Sequence, residues 1–103
     1  MKATQVMIEG RLWAIIPSPR KAMESPQHDG QCDYDNQTIQ IYSRLSLHEA
    51  LETVIHEVMH AQQPDIHEDA IARRAKEITR ALIKTGLFKQ PWRNYERTRH
   101  ANQ

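Results

Sequence analysis

The sequence predicts an α+β fold, in which a small antiparallel β-sheet from the first half of the chain packs on an antiparallel helical hairpin from the second half. Strand-forming residues cluster and alternate with polar ones before residue 43, whereas apolar residues recur at helical spacing after residue 46. The chain has 103 residues, which is the size of one domain. A mean hydropathy of −0.75 indicates that its apolar core is small.

Residues 6–16 form the first predicted element, because this segment is rich in β-branched and aromatic residues. The pair Glu9-Gly10 within it suits a tight turn or a bulge, so the segment is either one long strand or a hairpin. Three prolines and a glycine then mark an irregular connection over about residues 17–30. This connection is longer than most loops of compact domains, so we expect it to be mobile or functional.

The segment Thr38–Tyr42 is predicted to be a half-buried strand that follows a turn-like cluster at residues 35–37. Ile39 and Ile41 point to one side, and the residues that alternate with them point to the other. One face of this strand is therefore expected to pack on the core.

The first predicted helix begins at a capping box, in which the Ser46 hydroxyl accepts a hydrogen bond from a backbone N–H and Glu49 reaches back. Apolar side chains follow at the spacing of one helix face: Leu47, Leu51, Val54 and Val58. Gln63 precedes a proline and is pushed out of the α region, so we expect the helix to end there.

The second helix is predicted to begin near Asp65, which offers a capping side chain with Glu68 as its partner three residues on. An apolar stripe runs along it through Ile71, Ala75, Ile78 and Leu82, and Gly86 supplies a stop. The short linker predicts that the two helices are antiparallel neighbours. We assign residues 1–86 to one domain and residues 87–103 to a basic C-terminal tail.

The charge balance argues against a surface that coats nucleic acid or a membrane, because the net charge is only +1. The domain carries −2 and the tail carries +3. Cys32 is the only cysteine, so no disulfide can form within the chain. No apolar run is long enough to span a membrane, and the first residues lack a signal-peptide core. The expected compartment is the cytoplasm, and the oligomeric state is not predicted.

The segment from His56 to His60 reads His-Glu-Val-Met-His and lies on the first predicted helix. Histidines four residues apart project from the same side of a helix, so both imidazoles can reach one ion. Two imidazoles and one further protein ligand form an open zinc site, and Glu57 is placed to act as general base. About 0.03 such motifs are expected by chance in this composition. The alternative is a solvated face with Glu–His pairs at i, i+4.

At these residues the chain resembles the zincin metallopeptidases, more narrowly the short bacterial and phage members. The resemblance covers about residues 30–86, and residues 49–63 carry its specific part. It implies that His56 and His60 bind one zinc ion per chain and that Glu57 is the general base. It also implies that Thr38–Tyr42 is the edge strand on which an extended peptide or protein substrate aligns by β-addition.

The third zinc ligand is predicted from the second helix. Gln63 and Ile66 occupy the positions where metzincins have a glycine and a third histidine, so that subtype is disfavoured. In gluzincins a glutamate on the following helix completes the site, which makes Glu68 the candidate. Glu68 is in register with the inward stripe, whereas its neighbour His67 is not. Two alternatives stay open: His67 as the ligand, and a capping role for Glu68 with Asp65.

Other residues have weaker assignments. Glu52 is a candidate to orient His56, Cys32 is a candidate zinc ligand in a latent form, and three residues are candidate oxyanion donors: Tyr42, His67 and Arg73. Two functions other than peptide hydrolysis also fit parts of the sequence. A non-catalytic zinc module leaves Glu57 without a role, because a structural site needs no base. Nucleic-acid binding would use the tail residues Lys89, Trp92, Arg93, Tyr95, Arg97 and Arg99.

Overall fold

The computed structural model describes residues 1–88, and the predicted basic tail from residue 89 onward lies outside the described residues. The α+β prediction is confirmed. The elements, in chain order, are β1 (Thr4–Ile8), β2 (Arg11–Ser18), a short 3₁₀ helix (Arg20–Ala22), β3 (Gly30–Asp33), β4 (Thr38–Tyr42), α1 (Leu47–Gln62) and α2 (Glu68–Lys84). Within residues 1–88, neither helix is long and apolar enough to cross a membrane.

Residues 4–18 form a β-hairpin, which was one of the two predicted possibilities. β1 and β2 are antiparallel, with Val6 opposite Trp13. Glu9 and Gly10 both have positive φ angles, of 50° and 75°, as a two-residue turn of this handedness requires. The strand β3 was not predicted as a strand, and it pairs in antiparallel fashion with β4.

The sheet is mixed, so the prediction of a purely antiparallel sheet was wrong. The strand order is β1-β2-β4-β3, and β2 runs parallel to β4. β2 can run parallel to β4 because residues 19–29 and β3 separate the two strands in the sequence. Parallel neighbours need such a long crossover connection rather than a tight turn. As a consequence Thr38–Tyr42 lies between two strands and is not an edge strand. The edges of the described sheet are β1 and β3.

The hydrophobic core lies between one face of the sheet and α1. Ile15 on β2 aligns with Ile39 on β4, and Ile39 and Ile41 are fully buried, which agrees with the predicted alternation. Trp13 and Ile8 complete the sheet side, and three α1 residues cover it: Val54, Val58 and Ala61. The core therefore fixes which side of α1 faces the sheet.

The helix boundaries agree with the prediction except at the start of α2. The capping box of Ser46 and Glu49 is present, and α1 ends at Gln62 with Gln63 as its C-cap. The N-cap of α2 is His67, whose Nδ1 accepts a hydrogen bond from the Asp69 N–H at 3.1 Å, so the predicted start near Asp65 was wrong. Residues 63–66 form a turn in which the Ile66 N–H donates to the Gln63 carbonyl, and α2 therefore begins after this turn, at Glu68.

The inward face of α2 is formed by Ile71, Ala75 and Thr79, all completely buried. Ile78, which was predicted to face inward, is 43% exposed. Helix α2 packs on α1, and the five-residue linker between them keeps its first turn near the end of α1. Gly86, with φ of 74°, follows the helix as the predicted stop.

Candidate metal centre

His56 and His60 lie one turn apart on α1 and present their imidazoles to each other. Their Nε2 atoms are 3.2 Å apart, and their ring centroids are 4.9 Å apart. Both side chains are about four-fifths buried. The spacing of four residues on a helix produces this arrangement, as the sequence predicts.

Glu68 places one carboxylate against both imidazoles. Its Oε1 lies 2.8 Å from Nε2 of His56, and its Oε2 lies 2.6 Å from Nε2 of His60. Glu68 is the first residue of α2, so its side chain is not used in a capping box. The imidazole of His67 instead caps the helix and is 78% exposed. Of the two candidate ligands Glu68 and His67, the structure brings Glu68 to the histidine pair.

The three side chains form a group that could hold a metal ion. One ligand atom from each of His56, His60 and Glu68 lies within 4.8 Å of the others, and within residues 1–88 no second group of this kind occurs. Two imidazole nitrogens and a carboxylate oxygen are typical zinc donors. Donors about 2.1 Å from a tetrahedral zinc lie about 3.4 Å apart, so the group needs to open by less than about 1 Å. We call these three residues, which could hold a metal ion, the metal centre.

Glu57 is buried next to the metal centre without belonging to it. Only 7% of this residue is exposed. Burial, and secondarily the negative charge of Glu68, raises the pKa of the Glu57 carboxyl to about 7. A carboxyl group with this pKa can both accept and return a proton near neutral pH, which suits a general acid–base catalyst.

The strand β3 reaches the metal centre at Gly30. A Cβ atom on this residue would stand 2.6 Å from Cγ2 of Thr53 and 2.9 Å from Cγ of Glu57. These distances are shorter than real Cβ contacts allow, so only glycine lets β3 approach α1 this closely. The buried position of Glu57 depends on that approach.

Tyr34 is a residue of the site that the sequence did not indicate. It follows β3, and its hydroxyl donates a hydrogen bond to the His60 carbonyl at 3.1 Å. Partial burial and the neighbouring Cys32 raise the pKa of its phenol to about 12, and the carboxylates of Glu57 and Glu68 act in the same direction. No motif includes Tyr34, because its place beside α1 follows from the pairing of β3.

Cys32 lies near the buried carboxylate but outside the metal centre. Burial, followed by the charge of Glu57, raises the pKa of its thiol to about 11. The side chain is half-buried on β3 and packs on the core. At neutral pH it is therefore a protonated thiol, and its role as a ligand in a latent form stays untested.

The remaining candidates from the sequence lie elsewhere. Tyr42 lies under the guanidinium of Arg20, 3.9 Å from ring centroid to carbon, and Arg73 is exposed on α2. Glu52 lines a cavity beside His56. Within residues 1–88, no hydrogen bond joins Glu52 to His56, so the proposed orienting contact is not formed.

No protein-family model matches this chain, and comparisons with curated proteins and with solved structures give no match either.

Proposed function

We propose that the protein is a zinc-dependent metallopeptidase that hydrolyses peptide bonds, with one zinc ion held by His56, His60 and Glu68. The observation that carries this proposal is the convergence of two Nε2 atoms and one carboxylate from two different helices. Such a set leaves a coordination position for substrate or water, which distinguishes catalytic from structural zinc sites. When bound, the ion supplies Lewis acidity to a carbonyl group and lowers the pKa of water.

Glu57 acts in this proposal as the general base. Its carboxylate accepts a proton from the attacking water and returns it to the amine nitrogen as the C–N bond breaks. In the zinc-free chain the pKa of Glu57 is about 7, and the positive charge of a bound ion would lower it, so the carboxylate form that accepts the proton is the one favoured at neutral pH. A purely structural zinc module gives no reason to bury a carboxyl group at this cost.

The strand β3 is the element on which we propose that an extended substrate aligns. It is an edge of the described sheet, whereas β4 is paired on both sides. Gly30 on β3 lies against Glu57, so a peptide added to β3 runs past the proposed base. Backbone hydrogen bonds to an exposed edge give affinity that depends little on substrate sequence.

We propose Tyr34 as the donor that stabilises negative charge on the substrate carbonyl oxygen. Its hydroxyl donates its one proton to the carbonyl of His60, beside the metal centre, and must turn from that carbonyl to reach the substrate oxygen. The phenol stays protonated at neutral pH. A donor aimed at developing charge is worth about 10²–10³ in rate in comparable sites. The ring of Tyr42 stacks under Arg20 instead, and within residues 1–88 no hydrogen bond joins its hydroxyl to the metal centre.

The substrate class is a peptide or protein, and the cytoplasm remains the expected compartment. Metal analysis of the purified chain, followed by a peptide-library digest with and without chelator, tests the proposal. We expect one zinc per chain and cleavage that chelator abolishes. A non-catalytic zinc module predicts the same zinc content without cleavage, and a chain that takes up no zinc contradicts both.

A further inference from the structure

Arg20 lies in the connection between β2 and β3, and its side chain holds the second half of that connection in place. Its Nη1 donates hydrogen bonds to the carbonyls of Pro26 and His28, both at 2.9 Å. Its Nη2 contacts Oδ1 of Asp29 at 2.9 Å, and the guanidinium is stacked over the ring of Tyr42. One side chain thus ties three loop residues to the strand β4.

The same loop is fixed at both ends by other contacts. The Tyr42 N–H donates to the carbonyl of Asp29 at 2.7 Å, and the Ser25 N–H donates to Oε1 of Gln31 at 3.0 Å. Between these points, the side-chain hydrogen bonds to the carbonyls of Pro26 and His28 come from Arg20. The His28 N–H also donates to the carbonyl of Ser25 at 3.0 Å, so residues 26–28 are held by this turn and by Arg20.

This loop forms one wall of a cavity that opens on the metal centre. The cavity has a volume of about 350 Å³ and is lined by Gln27, His28, Asp29 and Gly30 on one side and by Glu52, Thr53, His56 and Glu68 on the other. Two of these residues belong to the metal centre. Apart from Gly30, which has no side chain, every lining residue carries a hydrogen-bonding group on its side chain.

We infer that this cavity is the subsite for one hydrophilic substrate side chain next to the scissile bond, and that Arg20 is the positioning residue that holds its wall. The inference rests on the proposed function. An apolar side chain would desolvate the polar lining without replacing its hydrogen bonds, whereas an amide or hydroxyl side chain can replace them. The planar guanidinium supplies several donors in fixed directions and stacks on an aromatic ring. Lysine at position 20 keeps the charge but cannot make the same set of contacts.

The test measures binding rather than turnover. Three zinc chelators are titrated into the zinc-loaded full chain: acetohydroxamate, N-acetyl-glutamine hydroxamate and N-acetyl-leucine hydroxamate. The last two differ in polarity at similar size, and the first lacks a side chain. We expect the parent to bind the glutamine probe about tenfold more tightly than the leucine probe, as for one well-made polar contact.

Arg20→Lys is expected to lose at least about fivefold in affinity for the glutamine probe while acetohydroxamate binds as in the parent. Lys21→Met, in the same 3₁₀ helix, is the matched control and keeps the preference of the parent. Tyr42→Leu removes the aromatic ring on which Arg20 stacks. This variant replaces Arg20→Lys in the test if Arg20→Lys does not fold.

Three results would overturn the inference alone. The first is that the parent binds the leucine probe more tightly than the glutamine probe. The second is that the parent and Arg20→Lys bind the glutamine probe with equal affinity. The third is that Arg20→Lys loses as much affinity for acetohydroxamate as for the glutamine probe, which would place the effect at the metal centre. Failure of the parent to take up zinc or to bind any hydroxamate overturns the proposed metal centre itself, and the inference with it.

Discussion

The backbone of Gly30 on β3 lies directly against the side chain of Glu57 on α1. The space that a Cβ atom would occupy is already filled, by Cγ of Glu57 at 2.9 Å and by Cγ2 of Thr53 at 2.6 Å. This contact joins the edge strand proposed to hold substrate to the carboxyl group proposed to move the proton. It also shields Glu57 from most of the bulk solvent, and this burial is the main cause of the raised pKa.

Gly30→Ala is expected to destabilise the fold by about 1–3 kcal/mol, because the added methyl group overpacks the contact between β3 and α1. Denaturant unfolding measures the change. Thr53→Ser removes the methyl group that lies nearest to the added Cβ atom. The double variant Gly30→Ala/Thr53→Ser should therefore recover part of the lost unfolding free energy, and a double-mutant cycle measures this recovery. A Gly30→Ala variant as stable as the parent would show that β3 and α1 are not packed this closely.

The ionisation of Glu57 predicts a pH dependence in the zinc-free chain. Its pKa rises from 4.5 to about 7 on folding, so the folded state binds more protons than the unfolded state between these values. The contribution of Glu57 to stability is therefore fully present below pH 4.5 and is lost as the pH rises through about 7.

The glutamine side chain of the Glu57→Gln variant cannot ionise, so this variant does not lose stability at position 57 as the pH rises. In chelator, its stability relative to the parent should increase between pH 5 and pH 8, and thermal unfolding at both values measures the difference. A difference that is the same at both pH values would mean that Glu57 keeps an ordinary pKa.

Glu68→Ala is expected to weaken zinc binding far more than His67→Ala. Glu68 contacts both imidazoles, whereas His67 caps α2. Loss of a direct ligand should exceed the roughly 10–100-fold cost of losing an outer partner. His67→Ala should instead lower helix stability by about 1 kcal/mol. Competition with a chromophoric chelator measures both affinities, and a larger loss for His67→Ala would reverse the assignment.

Cys32 is expected to resist alkylation in the zinc-free folded chain. Its pKa is raised from 9.0 to about 11, so the reactive thiolate is about a hundredfold scarcer than for an ordinary cysteine. The rate of reaction with iodoacetamide at pH 8 measures this, with urea-unfolded protein as the reference. Glu57→Gln should speed the reaction, since the charge of Glu57 is the second cause of the shift. Equal rates in folded and unfolded chains would contradict the buried position.

The sequence predicts the parts of this fold that depend on local spacing. The capping box at Ser46, the end of α1 before Pro64 and the pairing of His56 with His60 all follow from residues within one or two turns of helix. The phase of Glu68 on the second helix predicts an inward position, and the structure places Glu68 beside the two histidines, although the predicted cap at Asp65 is wrong. Asp65 and His67 both offer an acceptor, and the turn after Pro64 decided between them.

Features that depend on strand pairing could not be predicted in the same way. β3 has four residues without clear alternation, so no pattern marked it as a strand. Its pairing with β4 moves Thr38–Tyr42 to the interior and brings Gly30 and Tyr34 to α1. The parallel contact between β2 and β4 likewise depends on the path of residues 19–29, which local propensity does not determine.

The most direct test of the proposed mechanism compares the parent with Glu57→Gln. The substitution keeps the size of the side chain and changes none of the three proposed ligands, so zinc stoichiometry and fold should stay nearly intact. Zinc-dependent cleavage of a peptide library should fall by about 10²–10⁴, the usual value of general base assistance. Undiminished zinc-dependent cleavage by Glu57→Gln would contradict the role assigned to this carboxyl group.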